Sequence, residues 1–214
     1  MGFLPDVRRI IKQLPNERQT LLFSATMPAQ IESLSRQTLR NPERVAVGKT
    51  TKPAPKISQF LYPVPREQKM ALLQSLLKNK DYSSVLIFTR TKHGADKVAR
   101  ILNKNGFRAT QIHGNRTQNQ RTRSLDQFKT GKYRILVATE IAARGIDVKN
   151  ISHVINFDVP ETSEAYVHRI GRTARAEKIG SALTLVARNE EMTMHRIEKQ
   201  LKTEIERVAL PQFN

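Results

Sequence analysis

Short unbroken apolar runs recur along the chain from residue 57 onward. Each is followed by a longer stretch whose apolar residues fall every three to four positions. The runs predict strands at 57–62, 84–88, 108–112, 134–138, 153–157 and 181–186. The intervening periodicity predicts helices near 66–78, 92–105, 118–130, 163–170 and 190–202. In the first of these helices Met70, Leu73, Leu76 and Leu77 share one face. Val/Ile/Leu/Phe strands without polar alternation, separated by helices, imply a parallel sheet covered on both sides: an α/β fold. In such sheets ligands gather beyond the carboxyl ends of the strands. The polar clusters Thr89-Arg90-Thr91, His113-Gly114 and Thr139-Glu140 follow three of the expected strands.

The first 48 residues repeat the pattern on a smaller scale. A helix is expected over 5–14, opened by Pro5, with a strand at 20–23, a helix over 27–39 and a strand at 45–47. That is too little to bury a core of its own. Residues 49–56, Lys-Thr-Thr-Lys-Pro-Ala-Pro-Lys, have linker composition. The expected organisation is therefore 1–48, a linker at 49–56, and a main domain at 57–214.

Charge narrows the partner. The chain holds 37 Lys+Arg against 19 Asp+Glu, a net charge of +18 over 214 residues. The surplus is spread out, and residues 108–134 alone carry seven basic residues against one acid, Asp126. Such a surplus fits a polyanion, most commonly nucleic acid, although a merely basic soluble protein would share it. The absence of cysteine excludes disulfides, thiol catalysis and Cys-based zinc sites. The five histidines lack metal-ligand spacing, so no metal site is expected. No apolar run approaches the roughly 20 residues that span a bilayer. No signal peptide is visible, and a cytoplasmic setting is expected.

The densest chemistry is His168-Arg169-Ile170-Gly171-Arg172-Thr173-Ala174-Arg175. Arg172 and Arg175 are three apart, so on a helical turn their guanidiniums point the same way. Paired guanidiniums suit phosphate oxygens and the charge of a phosphoryl-transfer transition state. A solvated basic helix face would show the same spacing.

In chain order come Ser24-Ala25-Thr26, the 85–91 segment Val-Leu-Ile-Phe-Thr-Arg-Thr, and Gln118-Asn-Gln-Arg121. Then follow Ala138-Thr139, Ala143-Arg144-Gly145-Ile-Asp147, the 154–158 segment Val-Ile-Asn-Phe-Asp, and the 168–175 stretch. This ordered series resembles the carboxyl-terminal RecA-like domain of DEAD-box RNA helicases over nearly all of the chain. His168 at the head of the last motif favours that branch over its DEAH relatives. The ending Ile205-Glu206-Arg207-Val208 before Pro211 is similar to RhlE-like bacterial members.

The resemblance implies a RecA-like parallel sheet sandwiched by helices, ATP with Mg2+ as nucleotide, and RNA as partner. It implies that Arg172 and Arg175 are arginine fingers on the γ-phosphate. His168 would link to the other lobe's acidic motif, and Asp147 beside Gly145 would bond the ribose. Thr89, Arg90, Thr91, Gln118, Arg121 and Thr139 would hold the RNA backbone, and Ser24 with Thr26 would couple nucleotide state to lobe closure. Simpler roles stay open for several of them: a local hydrogen bond for His168, a turn cap or an Arg144 pair for Asp147, a surface pair with Asp126 for Arg121. Thr26 before Met27-Pro28 suits a helix cap. With no aromatic interleaved among the basic residues, the expected RNA binding is sequence-independent and salt-sensitive.

The family's phosphate-binding loop, adenine-reading Gln motif and Asp-Glu-Ala-Asp motif have no counterpart here, and Met1-Gly2-Phe3 resembles the segment just after the last of these. Gly48-Lys49-Thr50 imitates a phosphate loop, but Glu43 stands where its first glycine belongs, and Thr51-Lys52-Pro53 cannot open the helix that should follow. The expectation is the second lobe of a two-lobed motor with a remnant of the first, inactive alone, its Mg-ATP held mainly by the absent first lobe. The remnant's unpaired strands could join a second copy as a swapped or non-native dimer. A stand-alone, non-catalytic RNA-binding or regulatory module, and a DNA-translocating relative, are the alternatives.

Overall fold

A computed structural model of the chain describes residues 3–24, 27, 29–46, 57–143, 148, 151–174 and 180–211. The chain divides into two units, Met1–Thr51 and Lys52–Asn214.

In the first unit two ten-residue helices, α1 (Leu4–Gln13) and α2 (Ala29–Thr38), bury no residue. Phe3, Leu21 and Val45 are largely exposed, and Phe23 is 89% exposed. The strand expected at 20–23 is absent, and residues 45 and 46 of the other are likewise not in a strand. A strand is stable only when a neighbour completes its hydrogen-bond ladder, and no described residue in this unit pairs with either segment.

In the second unit, among the described residues, seven strands form one sheet in the order β3-β4-β2-β5-β6-β1-β7. They are β1 (Ile57–Pro63), β2 (Val85–Thr89), β3 (Ala109–Ile112), β4 (Ile135–Thr139), β5 (His153–Asn156), β6 (Gly180–Val186) and β7 (Glu206–Arg207), and every pair is parallel. The helices that carry the chain between them are α3 (Lys69–Leu77), α4 (Lys92–Lys104), α5 (Gln118–Lys129), the single turn α6 (Glu140–Ala143), α7 (Ser163–Ile170) and α8 (Glu191–Leu201). Single 3-10 turns at Arg66–Gln68 and Arg188–Glu190 lead into α3 and α8.

Both sheet faces are covered, which is why the strands are apolar throughout. Leu72, Leu73, Val98 and Leu102 from α3 and α4 pack on Val85, Ile87, Ile135 and Val137. On the other face Leu86, Phe88 and Leu136 meet Phe128 of α5 and Ala142 and Ala143 of α6. Tyr166 and Ile170 of α7 and Ile197 of α8 pack with Leu61 and Ala182.

The six expected strands and five expected helices of this unit are all present, with shifted ends. β2 and β4 run one residue further than the apolar runs suggested, so Thr89 and Thr139 end their strands and pair with each other. Threonine is β-branched and suits a strand even though its hydroxyl interrupts an apolar run. The two-residue β7, bonded through Phe60–Leu61 at the sheet edge, is too short and too charged to read from periodicity.

Candidate functional site

The order β3-β4-β2-β5 places Ile112, Thr139, Thr89 and Asn156 side by side at the carboxyl edge of the sheet. Of the expected functional residues, Thr89 and Thr139 end β2 and β4, and Arg90, Thr91, Gln118, Arg121, His168 and Arg172 follow these strand ends. After β2, Arg90 and Thr91 are exposed, and the Thr91 hydroxyl accepts from Gly94 N at 3.0 Å as the cap of α4. After β3, Thr117 caps α5 by a reciprocal pair. Its side chain accepts from Gln120 N at 3.3 Å, and Gln120 Oε1 accepts from Thr117 N at 3.1 Å. Gln118 and Arg121 on the first turns of α5 are bonded to each other, Arg121 donating to Gln118 Oε1 at 3.2 Å. Thr139, half-buried, ends β4 directly before α6. Two helix starts, with their unshared N–H groups, and several cations therefore open onto one edge, an arrangement suited to phosphate oxygens.

The structure redefines two of the expected contacts. Thr89 is fully buried, and its hydroxyl donates to Thr91 O at 3.2 Å, so it shapes the loop rather than facing a ligand. Arg90 is anchored twice: its N–H donates to Asp158 Oδ2 at 2.8 Å and its guanidinium to Glu190 Oε1 at 3.1 Å. Arg121, for which a surface pair with Asp126 is the simpler alternative to an RNA contact, donates instead to Gln118 Oε1.

Glu190 is the hub of this edge, which sequence reading missed. Its carboxylate also accepts from the Lys69 ammonium, Val159 N and Ala187 N. Lys69, only 2% exposed, donates in addition to Phe157 O at 2.8 Å. One carboxylate thus ties together the segments following β1, β2, β5 and β6.

The next cluster lies along α7. Arg169, 4% exposed, donates to Glu140 Oε2 at 3.1 Å, to Asp158 O at 2.9 Å and to Asn156 Oδ1 at 3.4 Å, and lies 5.2 Å from the Phe88 ring centre. Burial pulls its guanidinium below the ordinary arginine value, and the Glu140 carboxylate opposes that. Arg169 therefore bridges α6, which follows Thr139, to α7. His168, exposed in the last turn of α7, and half-buried Arg172 line a small cleft with Phe88, Glu140, Ala143 and Arg169.

The turn carrying Arg172 is held firmly. The buried Thr173 hydroxyl donates to Ile151 O at 2.6 Å. Ala174 has φ +55°, a left-handed conformation in which its Cβ is crowded. A Cβ on Gly180, at the start of β6, would lie 2.1 Å from Thr173 Oγ1 and 2.6 Å from Ala174 N, so only glycine fits against this turn. Gly145, Asp147, Arg175 and Thr26 lie outside the described residues. Ser24 is exposed in the first unit. Among the described residues no three His, Cys, Asp or Glu side chains group as metal ligands, and no helix is long and apolar enough to cross a membrane.

The sequence and the fold both resemble those of known proteins. Residues 68–177 match the family model of the helicase conserved C-terminal domain. The chain is 43% identical over 211 residues to the DEAD-box ATP-dependent RNA helicase CshA of Geobacillus kaustophilus, covering 99% of this chain and 45% of that relative. It is 44% identical over 214 residues to the ATP-dependent RNA helicase DbpA of Bacillus subtilis, covering 99% and 44%. The chain thus spans less than half the length of these relatives. Among solved structures, Saccharomyces cerevisiae Dbp5 bound to RNA and ADP BeF3 is similar with a TM-score of 0.89 at 27% identity, over 98% of this chain and 56% of that one. A DEAD-box protein from Methanococcus jannaschii is similar with a TM-score of 0.68 at 36% identity, over 97% and 56%. A parallel RecA-like sheet and these likenesses together make the chain a member of the DEAD-box RNA helicase family, carrying its helicase C-terminal domain.

Proposed function

We propose that this chain acts as the second lobe of an ATP-driven RNA helicase, remodelling short duplexes by holding one strand through its backbone. The carrying observation is the adjacency of two residue sets on one sheet edge. Thr91, Thr139, Gln118 and Arg121 follow β2, β4 and β3, while His168 and Arg172 follow the neighbouring β5. Arg169 bridges the sets through Glu140.

Hydroxyls, helix-start N–H groups and one arginine recognise phosphate and ribose and leave base identity unread. Thr89 and Arg90 serve this track by shaping its loop. On the nucleotide side, Arg172 and Arg175 reach the γ-phosphate of an ATP held on the first lobe, and Gly145 and Asp147 take the ribose. The donors described here, guanidinium and imidazole, fit phosphate oxygens, and Mg2+ is assigned to the first lobe. Residues 1–48 are the end of that first lobe, carrying Ser24 and Thr26 as its coupling element. The exposed Phe3, Leu21, Phe23 and Val45 mark surfaces that the rest of the lobe covers, or through which a swapped dimer would join. By itself the chain hydrolyses no ATP.

RNA titrations test the reading. Single-stranded RNAs of different sequence are expected to bind this chain alike, and a DNA of the same sequence more weakly. The logarithm of the association constant should fall linearly with log salt, with a slope of about −0.7 per phosphate contacted. A strong base preference, equal affinity for DNA, or a flat salt response would refute it.

A further inference from the structure

We propose that the Asp96 carboxylate is a positioning residue for RNA binding. It docks the loop between β3 and α5 onto α4, and so sets the Gln118–Arg121 pair in register with Thr91. The inference rests on the backbone-binding role of Arg121 given above.

Asp96 Oδ1 accepts three side-chain donors from one short segment: Gln111 Nε2 at 3.2 Å, His113 Nε2 at 3.0 Å and Arg116 at 3.2 Å. His113 is 1% exposed, and its Nδ1 accepts from Asn115 N at 3.3 Å. The proton must then sit on Nε2, aimed at Asp96, so the ring has one tautomer and one orientation. A second tie runs parallel to the first, from the Lys92 ammonium on α4 to Asn115 Oδ1 at 2.9 Å. The segment continues into the Thr117 cap, which fixes the direction of α5 and therefore where Gln118 and Arg121 lie.

Thr91 caps α4 one turn before Asp96. Thus α4 carries one set of expected RNA contacts at its start and grips the loop leading to the other. Burial pushes the Asp96 carboxyl up, but the hydrogen bonds from His113, Gln111 and Arg116 outweigh it and hold the group below the ordinary carboxylate value. The packing of α4 does not depend on Asp96, since Ala95, Val98, Ala99 and Leu102 form its buried face. Removing the carboxylate is therefore expected to loosen the loop far more than the fold.

The test is a double-mutant cycle on the 214-residue chain, read by fluorescence anisotropy with a single-stranded polyuridine RNA. Asp96→Ala is expected to weaken binding about tenfold. Because it leaves the buried His113 Nε2–H without its acceptor, it should also lower the melting temperature, by only a few degrees and with the fold intact. Asp96→Asn, which keeps an acceptor oxygen, is expected to recover most of the binding. In an Arg121→Ala background the Asp96→Ala effect should largely vanish, because the contact it positions is already gone. Wild-type affinity for Asp96→Ala, or full additivity with Arg121→Ala, overturns the proposal and leaves the RNA reading intact. Wild-type affinity for Arg121→Ala overturns the reading of α5 and the proposal with it. If Asp96→Ala does not fold, Asp96→Ser carries the same cycle.

Discussion

Replacing Arg172 with alanine in the two-lobed helicase is expected to lower kcat for RNA-stimulated ATP hydrolysis by about 10³-fold or more. The KM for ATP and the affinity for RNA should change little. Arg172 sits just past the end of α7, its N–H donating to Arg169 O at 3.1 Å, in the cleft it shares with His168 and Glu140. The turn beneath it is immobilised by the Thr173 hydroxyl and by the close approach of Gly180. In the proposed finger role, the Arg172 guanidinium would stabilise charge that builds up only as the γ-phosphoryl group leaves, so its loss would fall on kcat rather than on ground-state binding. Lysine at this position keeps the charge without the planar fork and should restore only part of the rate. Steady-state hydrolysis at saturating RNA reads the effect, and a loss of less than about tenfold would remove Arg172 from the role.

The largest stability effect is expected at Glu190. Substitution by alanine leaves the Lys69 ammonium, 2% exposed, without its carboxylate, and strips acceptors from Arg90, Val159 N and Ala187 N. Breaking a buried pair from one side costs about 3–5 kcal/mol. For a domain of this size that lowers the melting temperature by roughly 10 °C. The double variant Lys69→Met with Glu190→Gln should recover much of the loss. It removes both buried charges, and its amide oxygen can still accept from one of the two backbone N–H groups, Val159 N or Ala187 N, which bond to different carboxylate oxygens in the native chain. Thermal melts of wild type and the two variants decide the matter, and equal melting temperatures for wild type and Glu190→Ala would refute the hub.

Both predictions concern residues that differ in how visible they are from sequence. Arg172 belongs to a dense run of cations, and its motif is informative before any folding is considered. Glu190 and Lys69 belong to no motif and are separated by 121 positions, and only the parallel winding of β1 and β6 brings them together. Asp96 is similar: within α4 it reads as an ordinary polar residue, and its three donors become apparent only when β3 is laid beside the helix.

The core strands were legible because burial on both faces demands continuous apolar residues. Their last residues were not, since Thr89 and Thr139 look like loop residues while completing the β2–β4 ladder. The segment at 20–23 shows the opposite failure. Its composition suits a strand, yet Leu21 and Phe23 remain exposed because strand formation depends on a partner as much as on propensity. In the sequence Thr89 reads as an exposed loop hydroxyl, whereas the β2–β4 ladder buries it and its hydroxyl donates to Thr91 O.

The claim that this chain supplies the missing wall of a shared nucleotide site is tested most directly by mixing it with a separately produced first lobe bearing the phosphate-binding loop. ATP hydrolysis is then followed with and without RNA. Neither lobe alone should turn over ATP, the mixture should do so only with RNA present, and the Arg172→Ala chain should fail to support it. Hydrolysis by this chain alone, or by a mixture indifferent to Arg172, would contradict the account.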